Sequence, residues 1–575
     1  MKLLFISNFT GKKVGSFSIA SIMAAKSLGY EYHLAANFRN STSEQMMRDE
    51  EYYGIHLHQI DFERNPFDLK NLRALRQVIK LIRREKIDMI HCNTPIGGAA
   101  GRIAGWICKV PVVIYQVHGF HFYKGAPLIN WVLFYSIERW LAKITDVLIT
   151  INKEDYDLAN TFSLRNRGKV YYVPGVGIDT NLYISRETIR SKKRASLMLK
   201  DDDIMAVSIG NTGEKEKYIT AISSIAKVNN KNIHYYICGE DLLREELKKH
   251  AFENGLEHRI HFLDFESVNT ELYLAADVFL SINYEDGLIF LLRAMASGLP
   301  YIALNTKRET NPSINRISYQ NNSNDEKRVV NELATLATDS RLRKKTGYNN
   351  IITIMNGYFT LQNNVQSTDN SRFLQSHLDE DIFEYIPSRI KKRHEIGVPL
   401  DAFVIISVGE LNENKNNIVV IEALRKMSNE DIHYIICGEG HLQKQLEKES
   451  LDMKDNIHFL GYRQDIRDLL MTSDVFVLPS YREGLSRSLM EAMCMGLPCV
   501  VSDIRGNRDL IDKEMCFQPD DSNRLKDIFN QLYVNQGLRE KIGKDNNVNV
   551  KNLDIRKIVD NLKEIYDAST HMGGK

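Results

Sequence analysis

Short runs of apolar, strand-forming residues alternate along this chain with longer stretches in which apolar side chains recur every three or four positions. Lys2-Leu-Leu-Phe-Ile-Ser7, Met89-Ile-His91, Val112-Val-Ile-Tyr115 and Asp146-Val-Leu-Ile-Thr150 are of the first kind, and Leu69 to Lys86 is of the second. Strands alternating with helices of this length predict a parallel sheet wrapped by helices, an α/β fold. The rhythm holds from residue 1 to about 182 and breaks at the Gly/Pro-rich Pro174-Gly-Val-Gly-Ile-Asp179, which predicts a domain boundary there. Met1 to Asn8 reads as a first core strand rather than a signal peptide. With no run of about 18 apolar residues, no bilayer-spanning helix is expected.

After that boundary the chain repeats itself. Ser208-Ile-Gly210 matches Ser407-Val-Gly409, and Ile233-His-Tyr-Tyr-Ile-Cys-Gly-Glu240 matches Ile432-His-Tyr-Ile-Ile-Cys-Gly-Glu439, both at one register. Ile260-His-Phe-Leu263 pairs with Ile457-His-Phe-Leu460, and Asp277-Val-Phe279 with Asp474-Val-Phe476. Copies this large are whole α/β domains in tandem, not solenoid units. The expected layout is therefore 1–182, a first copy at 183–384 and a second at 385–575.

Composition narrows the chemistry. Lys and Arg number 75 against 74 Asp and Glu, so no global field recruits nucleic acid. The seven cysteines sit mostly in apolar runs and read as buried free thiols of a reducing compartment, and no His/Cys cluster has zinc spacing, so no metal site is expected. The acidic runs Asp201-Asp-Asp203 and Asp379-Glu-Asp381 read as solvated linkers.

The second copy carries Tyr481-Arg-Glu483-Gly-Leu-Ser-Arg-Ser-Leu-Met-Glu491-Ala directly after the strand Val475 to Leu478. A strand end, a glycine turn and a new helix make the place where open α/β sheets bind ligands, and the helix N-terminus suits a diphosphate. Glu483 belongs to the turn, and Glu491 lies about two helical turns on, rotated by roughly 80°. Upstream, Val408-Gly-Glu-Leu-Asn-Glu-Asn-Lys415 follows another strand. The first copy has Asp286 for Glu483, Arg293 for Glu491 and Glu216 for Lys415. An arginine cannot accept a hydrogen bond and Glu216 repels an anion, so the first copy is expected not to bind the ligand of the second.

At these residues the chain resembles the retaining glycosyltransferases of the large family that includes bacterial mannosyl- and N-acetylhexosaminyl-transferases, with their Glu, seven residues, Glu donor motif. The resemblance implies the GT-B fold: Rossmann-like doubly wound domains, here an N-terminal acceptor lobe and two tandem copies of the donor lobe, with the final stretch Asp554 to Tyr566 crossing back to the N-terminal lobe. It implies that Glu483 contacts the transferred sugar and Glu491 the ribose, with donor contacts from Gly409, Lys415, Gly484, Leu485, Gly506 and Asn507. Glu410 stands where the family has an arginine, and Arg505 is the candidate for the missing positive charge, its other reading being an intramolecular salt bridge. The segments His91 to Gly98, Gly119 to Pro127 and Thr150 to Asp155 resemble the acceptor lobe of exopolysaccharide and capsule enzymes, which makes His118 an expected catalytic-site residue; a structural role is the alternative for His118 and for His121.

The expected activity is metal-independent, retaining transfer of a hexose or N-acetylhexosamine from a nucleotide diphosphate sugar, UDP-linked by preference, to a polyprenyl-diphosphate-linked or glycan acceptor. The nucleotide sugar is substrate and no cofactor is expected. A non-catalytic sugar-nucleotide scaffold and a nucleotide-sugar epimerase stay open as alternatives. The helix bearing Leu72, Leu75, Ile79 and Ile82 beside many Lys and Arg, and the aromatic stretch Pro127 to Trp140, are candidates for contact with an anionic membrane surface, core packing being the other reading. The expected location is cytoplasmic, peripheral on the inner face of the plasma membrane. The first copy, inserted between lobes that must meet, is read as a spacer or assembly domain, or as the occupant of a pseudo-cleft while the second copy works with another chain; the latter arrangement requires oligomers.

Overall fold

In the computed structural model of the chain the described residues are 1–9, 14–63, 65–66, 68–175, 177–180, 186–210, 215–239, 243–264, 268–282, 288–304, 325–362 and 387–571. Residues 11–13, the first copy's Asp286 with residues 211–214 before Glu216, and the acidic run 379–381 lie outside them.

Strands β1 (Lys2–Phe9), β2 (Glu31–Asn37), β3 (His56–Gln59), β4 (Met89–Asn93), β5 (Val112–Val117), β6 (Val147–Thr150) and β7 (Lys169–Tyr172) form one parallel sheet in the order β3-β2-β1-β4-β5-β6-β7. The two-residue period of a strand sends Leu3 and Phe5 to one face and Leu4 and Ile6 to the other, each into its own core. The Lys70–Glu85 helix covers one face through Ala74, Val78, Leu81 and Ile82. This corrects the stripe read from sequence: Ile82 is in it, Leu75 and Ile79 are only partly buried, and Leu72 is exposed. Trp131, Phe134 and Tyr135 also pack on this core, whereas Trp140 is exposed.

The opposite face is completed from the far end of the chain. The Ile555–Thr570 helix contributes Ile558, Leu562, Ile565 and Tyr566 to the same core as Leu3 and Phe5. The Tyr566 hydroxyl lies 2.7 Å from Ser21 Oγ and 2.6 Å from His91 Nδ1. Where this helix starts, Ile178 N–H donates to Leu553 at 3.0 Å and Ile555 N–H to Ile178 at 2.9 Å. Gly177, at φ 83°, is needed there because a Cβ would come within 2.8 Å of Ile555 Cα.

Residues 1–183 and 401–575 make one compact unit and 184–400 another. The first unit holds the second parallel sheet, β13 (Phe403–Val408), β14 (Ile432–Cys437), β15 (Ile457–Gly461), β16 (Val475–Leu478), β17 (Cys499–Ser502) and β18 (Cys516–Phe517), ordered β15-β14-β13-β16-β17-β18. The inserted unit holds β8 (Ile204–Ile209), β9 (Ile233–Cys238), β10 (Ile260–Leu263), β11 (Val278–Ser281) and β12 (Tyr301–Ala303), ordered β10-β9-β8-β11-β12 among the described residues. The copies thus share one strand order over their first five strands. Within the inserted unit Asp277 binds Arg190 at 2.7 Å and Arg194 at 3.0 Å. Asp203 is buried and accepts from Lys200 N–H at 2.7 Å, which corrects its reading as a solvated linker residue. The seven cysteines are free, six of them buried.

All three sheets place a histidine pair across adjacent outer strands: His33 with His58 at 2.9 Å, His234 with His261 at 3.1 Å, and His433 with His458 at 2.9 Å, each Nδ1 to Nε2. Such a contact needs one donor and one acceptor nitrogen, so two protonated rings cannot make it. Burial, with the neighbouring histidine second, holds His58, His261 and His458 down to about 4. A depressed imidazole is neutral by preference in the fold, so its contribution is complete above the ordinary value near 6.5 and is lost as pH falls towards 4. Discounted for partial exposure, the expected loss is about 1 kcal/mol per pair. Thermal unfolding followed from pH 7.5 to 4.5 tests this: the midpoint falls below pH 6.5 in the parent and falls less when His58, His261 and His458 are replaced by Asn. A parent midpoint that is flat over that range would contradict it.

Candidate active site

In both sheets of the first unit the chain reverses its build direction between the first strand and its later neighbour, β1 with β4 and β13 with β16. Crevices at such switch points, beyond the strand C-termini, are where open α/β sheets hold ligands. Gly409 to Lys415 follows β13, and Glu483 follows β16. Asn8 lies at the C-terminal end of β1, Thr94 follows β4 and His118 follows β5.

On the C-terminal side a short 3-10 turn, Glu413–Lys415, is capped by the Asn412 side chain, which accepts from Lys415 N–H at 3.2 Å. The Lys415 stem lies over Gly409 so closely that a Cβ there would come within 2.9 Å of Cε. Its ammonium reaches Glu483 Oε1 at 2.6 Å, both groups being largely shielded from solvent. Asn414 ties the two loops together, donating from Nδ2 to the Arg482 carbonyl at 3.0 Å and accepting from Tyr481 N–H at 2.8 Å. The Arg487–Cys494 helix begins after Ser486, and Glu491 accepts from Arg487 one turn earlier at 3.0 Å. Glu410 points to solvent.

On the N-terminal side His118 stacks edge-on against Phe17, ring centroids 5.0 Å apart. Its Nε2 is shielded and has no hydrogen-bond partner among the described residues. Burial pushes this imidazole down to about 4, so at neutral pH it is uncharged and keeps an unused hydrogen-bonding nitrogen. His121 is exposed beside Phe134, its carbonyl accepting from Asn130 at 2.9 Å.

The two sides touch at glycines. A Cβ on Gly484 would fall 2.2 Å from the His118 carbonyl oxygen, and one on Gly506, at φ 82°, 1.9 Å from the Gly484 carbonyl. Leu485 packs on the hinge glycine Gly175, where a Cβ would meet it at 2.5 Å. Arg505 crosses to the N-terminal lobe: it bonds Asp155 at 2.7 Å, donates to the Phe120 carbonyl and lies over the Tyr123 ring at 4.7 Å. Lys153 N–H adds a bond to Asp509 at 2.8 Å. The guanidinium expected to face a phosphate is thus engaged in the intramolecular salt bridge that was its other reading. Asn507 is fully buried and holds the Ser502 carbonyl from Nδ2 at 3.1 Å.

Three residues here were not singled out from sequence. Asp155 anchors Arg505 while also accepting from Asn152 Nδ2 and Phe120 N–H. Asn8 Oδ1 accepts from Gly97 N–H and from the Thr94 hydroxyl, and holds the turn into the Pro95–Ile107 helix. Thr94 adopts φ 66° and ψ 155°, a region costly for any residue with a Cβ and found where surrounding contacts over-determine the backbone. Among the described residues no group of three or more His, Cys, Asp or Glu side chains is placed to share a metal ion.

Two Rossmann-like lobes with facing switch points, joined by a hinge and a crossover helix, define the GT-B architecture. A solved structure of Anabaena HepE in complex with UDP and glucose has the same fold, with a TM-score of 0.51 at 14% identity over 99% of both chains. The family profile described as glycosyl transferases group 1 matches residues 189–352 and again 388–547, and that described as glycosyl transferase 4-like matches 10–152. The chain belongs to the group 1 glycosyltransferases, with the matched unit present twice. It is 32% identical to the putative glycosyltransferase EpsD of Bacillus subtilis over 288 residues, 49% of this chain and 73% of EpsD. It is 31% identical over 192 residues, 30% of this chain and 48% of the relative, to an Escherichia coli UDP-Gal:alpha-D-GlcNAc-diphosphoundecaprenol alpha-1,3-galactosyltransferase.

Proposed function

We propose that this chain transfers a hexose or N-acetylhexosamine from a UDP-linked donor, with retention and without a metal, to a lipid-linked acceptor in the assembly of an exopolysaccharide or capsule. The observation that carries this reading is the Lys415–Glu483 pair with Glu491 at the switch point of the second sheet, in a loop that meets the His118 carbonyl at Gly484. Lys415 and the amides of the Arg487–Cys494 helix would stabilise the departing diphosphate, Glu491 would accept from the ribose hydroxyls, and Glu483 and neutral His118 would orient the transferred sugar. The lipid-linked acceptor named for the Escherichia coli relative supports the acceptor class, and the UDP bound in HepE supports the donor.

The first copy lacks this set. Glu216 stands exposed at the start of the Lys215–Lys227 helix, where the second copy offers Lys415, and Arg293 replaces Glu491. Calorimetric titration of UDP into the whole protein is expected to count one site per chain, weakened roughly 10- to 100-fold by Glu491→Ala, the range for a hydrogen bond to a charged group. Two sites would reinstate the first copy as a nucleotide binder. No binding would leave a scaffold on the same fold, and donor turnover without acceptor would point to an epimerase.

A further inference from the structure

Behind His118 the N-terminal lobe is hollow. A cavity of about 870 Å³ opens among the Lys70–Glu85, Pro95–Ile107 and Leu128–Ala142 helices and the loop after β5. That is within the roughly 300 to 1,000 Å³ of small-molecule sites. Asn8, His118 and Gly119 line it on the side of the cleft, and most of the remaining wall is apolar, with Leu72, Leu75, Ile96, Ile103, Leu133 and Ile137 among its residues.

Away from His118, the polar groups Glu138, Asp68 and Asn71 in that wall already have partners. Glu138 accepts two bonds from Arg102, at 2.7 and 3.1 Å, and Arg102 is fully buried with its guanidinium 3.8 Å from the Tyr115 ring centroid. Asp68 accepts from Lys70 N–H and Asn71 from Glu63 N–H. Sugar hydroxyls set against such a wall would be desolvated without replacement, whereas a hydrocarbon loses nothing. At the start of the Leu128–Ala142 helix, Leu128 and Ile129 are 83% and 65% exposed. An apolar run of this kind on a soluble surface marks an interaction site. Exposed Arg76, Lys80, Arg139 and Lys143 on two of the bounding helices supply positive charge that suits an anionic lipid.

We propose that this cavity holds the proximal hydrocarbon chain of the acceptor lipid, leaving its head group at the His118 end. The inference rests on the lipid-linked acceptor of the proposed function and adds where the chain goes. Its continuity with His118 is the decisive feature, because a chain seated elsewhere would not deliver the acceptor hydroxyl to the cleft.

Tryptophan fluorescence of the full chain reports on the site, since Trp131 packs on the cavity-lining Phe122 at 5.7 Å. Titration with farnesyl diphosphate is expected to saturate, and titration with inorganic pyrophosphate is not. Ile137→Asp and Leu133→Asp, on the cavity wall, should each weaken farnesyl diphosphate by about tenfold or more, as loss of a few buried methylenes implies. Val132→Asp, on the outer face of the same helix, should change it less than about twofold. Farnesyl diphosphate binding no tighter than pyrophosphate, or Val132→Asp acting as strongly as Ile137→Asp, would overturn the proposal in favour of unspecific adsorption. UDP titrated in parallel separates the two readings: intact UDP binding without chain binding sinks this inference alone, and absent UDP binding sinks the transferase reading.

Discussion

Replacing Gly484 by alanine is expected to lower turnover of a UDP-sugar by about 100-fold while UDP affinity stays within a few-fold of the parent. The added methyl group would sit 2.2 Å from the His118 carbonyl, a backbone atom that cannot rotate away. Relief requires the loop after β5 to retreat from the donor lobe by about an ångström, taking His118 with it, and misplacement on that scale can cost about 10²-fold in rate. The donor contacts proposed for Lys415, Glu483 and Glu491 all lie within one lobe, so nucleotide binding is largely spared. Steady-state UDP release and UDP calorimetry on the same preparation test this, and turnover within about threefold of the parent would show that the lobe contact does not position the chemistry.

Arg505→Ala is expected to destabilise the first unit by about 3 to 5 kcal/mol, the range for removing one partner of a buried ion pair. Asp155 is 1% exposed, and burial raises its carboxyl above the ordinary value even with Arg505 beside it. Without the guanidinium that carboxyl rises further. An acid raised in the fold binds more protons folded than unfolded, so the penalty grows as pH rises through the carboxylate range and shrinks towards pH 4. The difference between variant and parent in denaturant unfolding, measured at pH 7.5 and at pH 5, should therefore narrow at the lower value; taking the difference removes the acid loss shared through the histidine pairs. Asp155→Asn in the Arg505→Ala background should recover part of the loss at pH 7.5, because a neutral amide replaces the stranded charge. A single variant within about 1 kcal/mol of the parent would mean that water reaches Asp155 when the lobes part.

The strands and the duplication were legible in the chain because buried parallel strands are short apolar runs and because two copies kept the same words at one register. The strand, turn and helix that carry Glu483 and Glu491 were legible because they are contiguous in sequence. What was hidden depends on partners far apart: Arg505 and Asp155 are separated by 350 positions, and no local pattern says that a cation after β17 will find a carboxylate in the other lobe. The Lys70–Glu85 helix shows a second limit. Its apolar residues span a wide arc, and the buried face was set by Ala74 and Val78, small side chains that let the helix approach the sheet, rather than by Leu72. The strained Thr94 backbone and the cavity behind His118 have no sequence signal, since each is a product of how neighbouring helices meet.

The helix that supplies Tyr566 is the last described element to leave the ribosome, yet it completes the core begun by Leu3 and Phe5. The inserted unit is contiguous in sequence and can fold during synthesis, whereas the N-terminal lobe must wait with one sheet face only partly covered until residues 555–570 have been made. Translation of this helix is thereby a checkpoint: a product truncated before residue 555 would leave the part of that face covered by Ile558, Leu562 and Tyr566 exposed to chaperones and proteases.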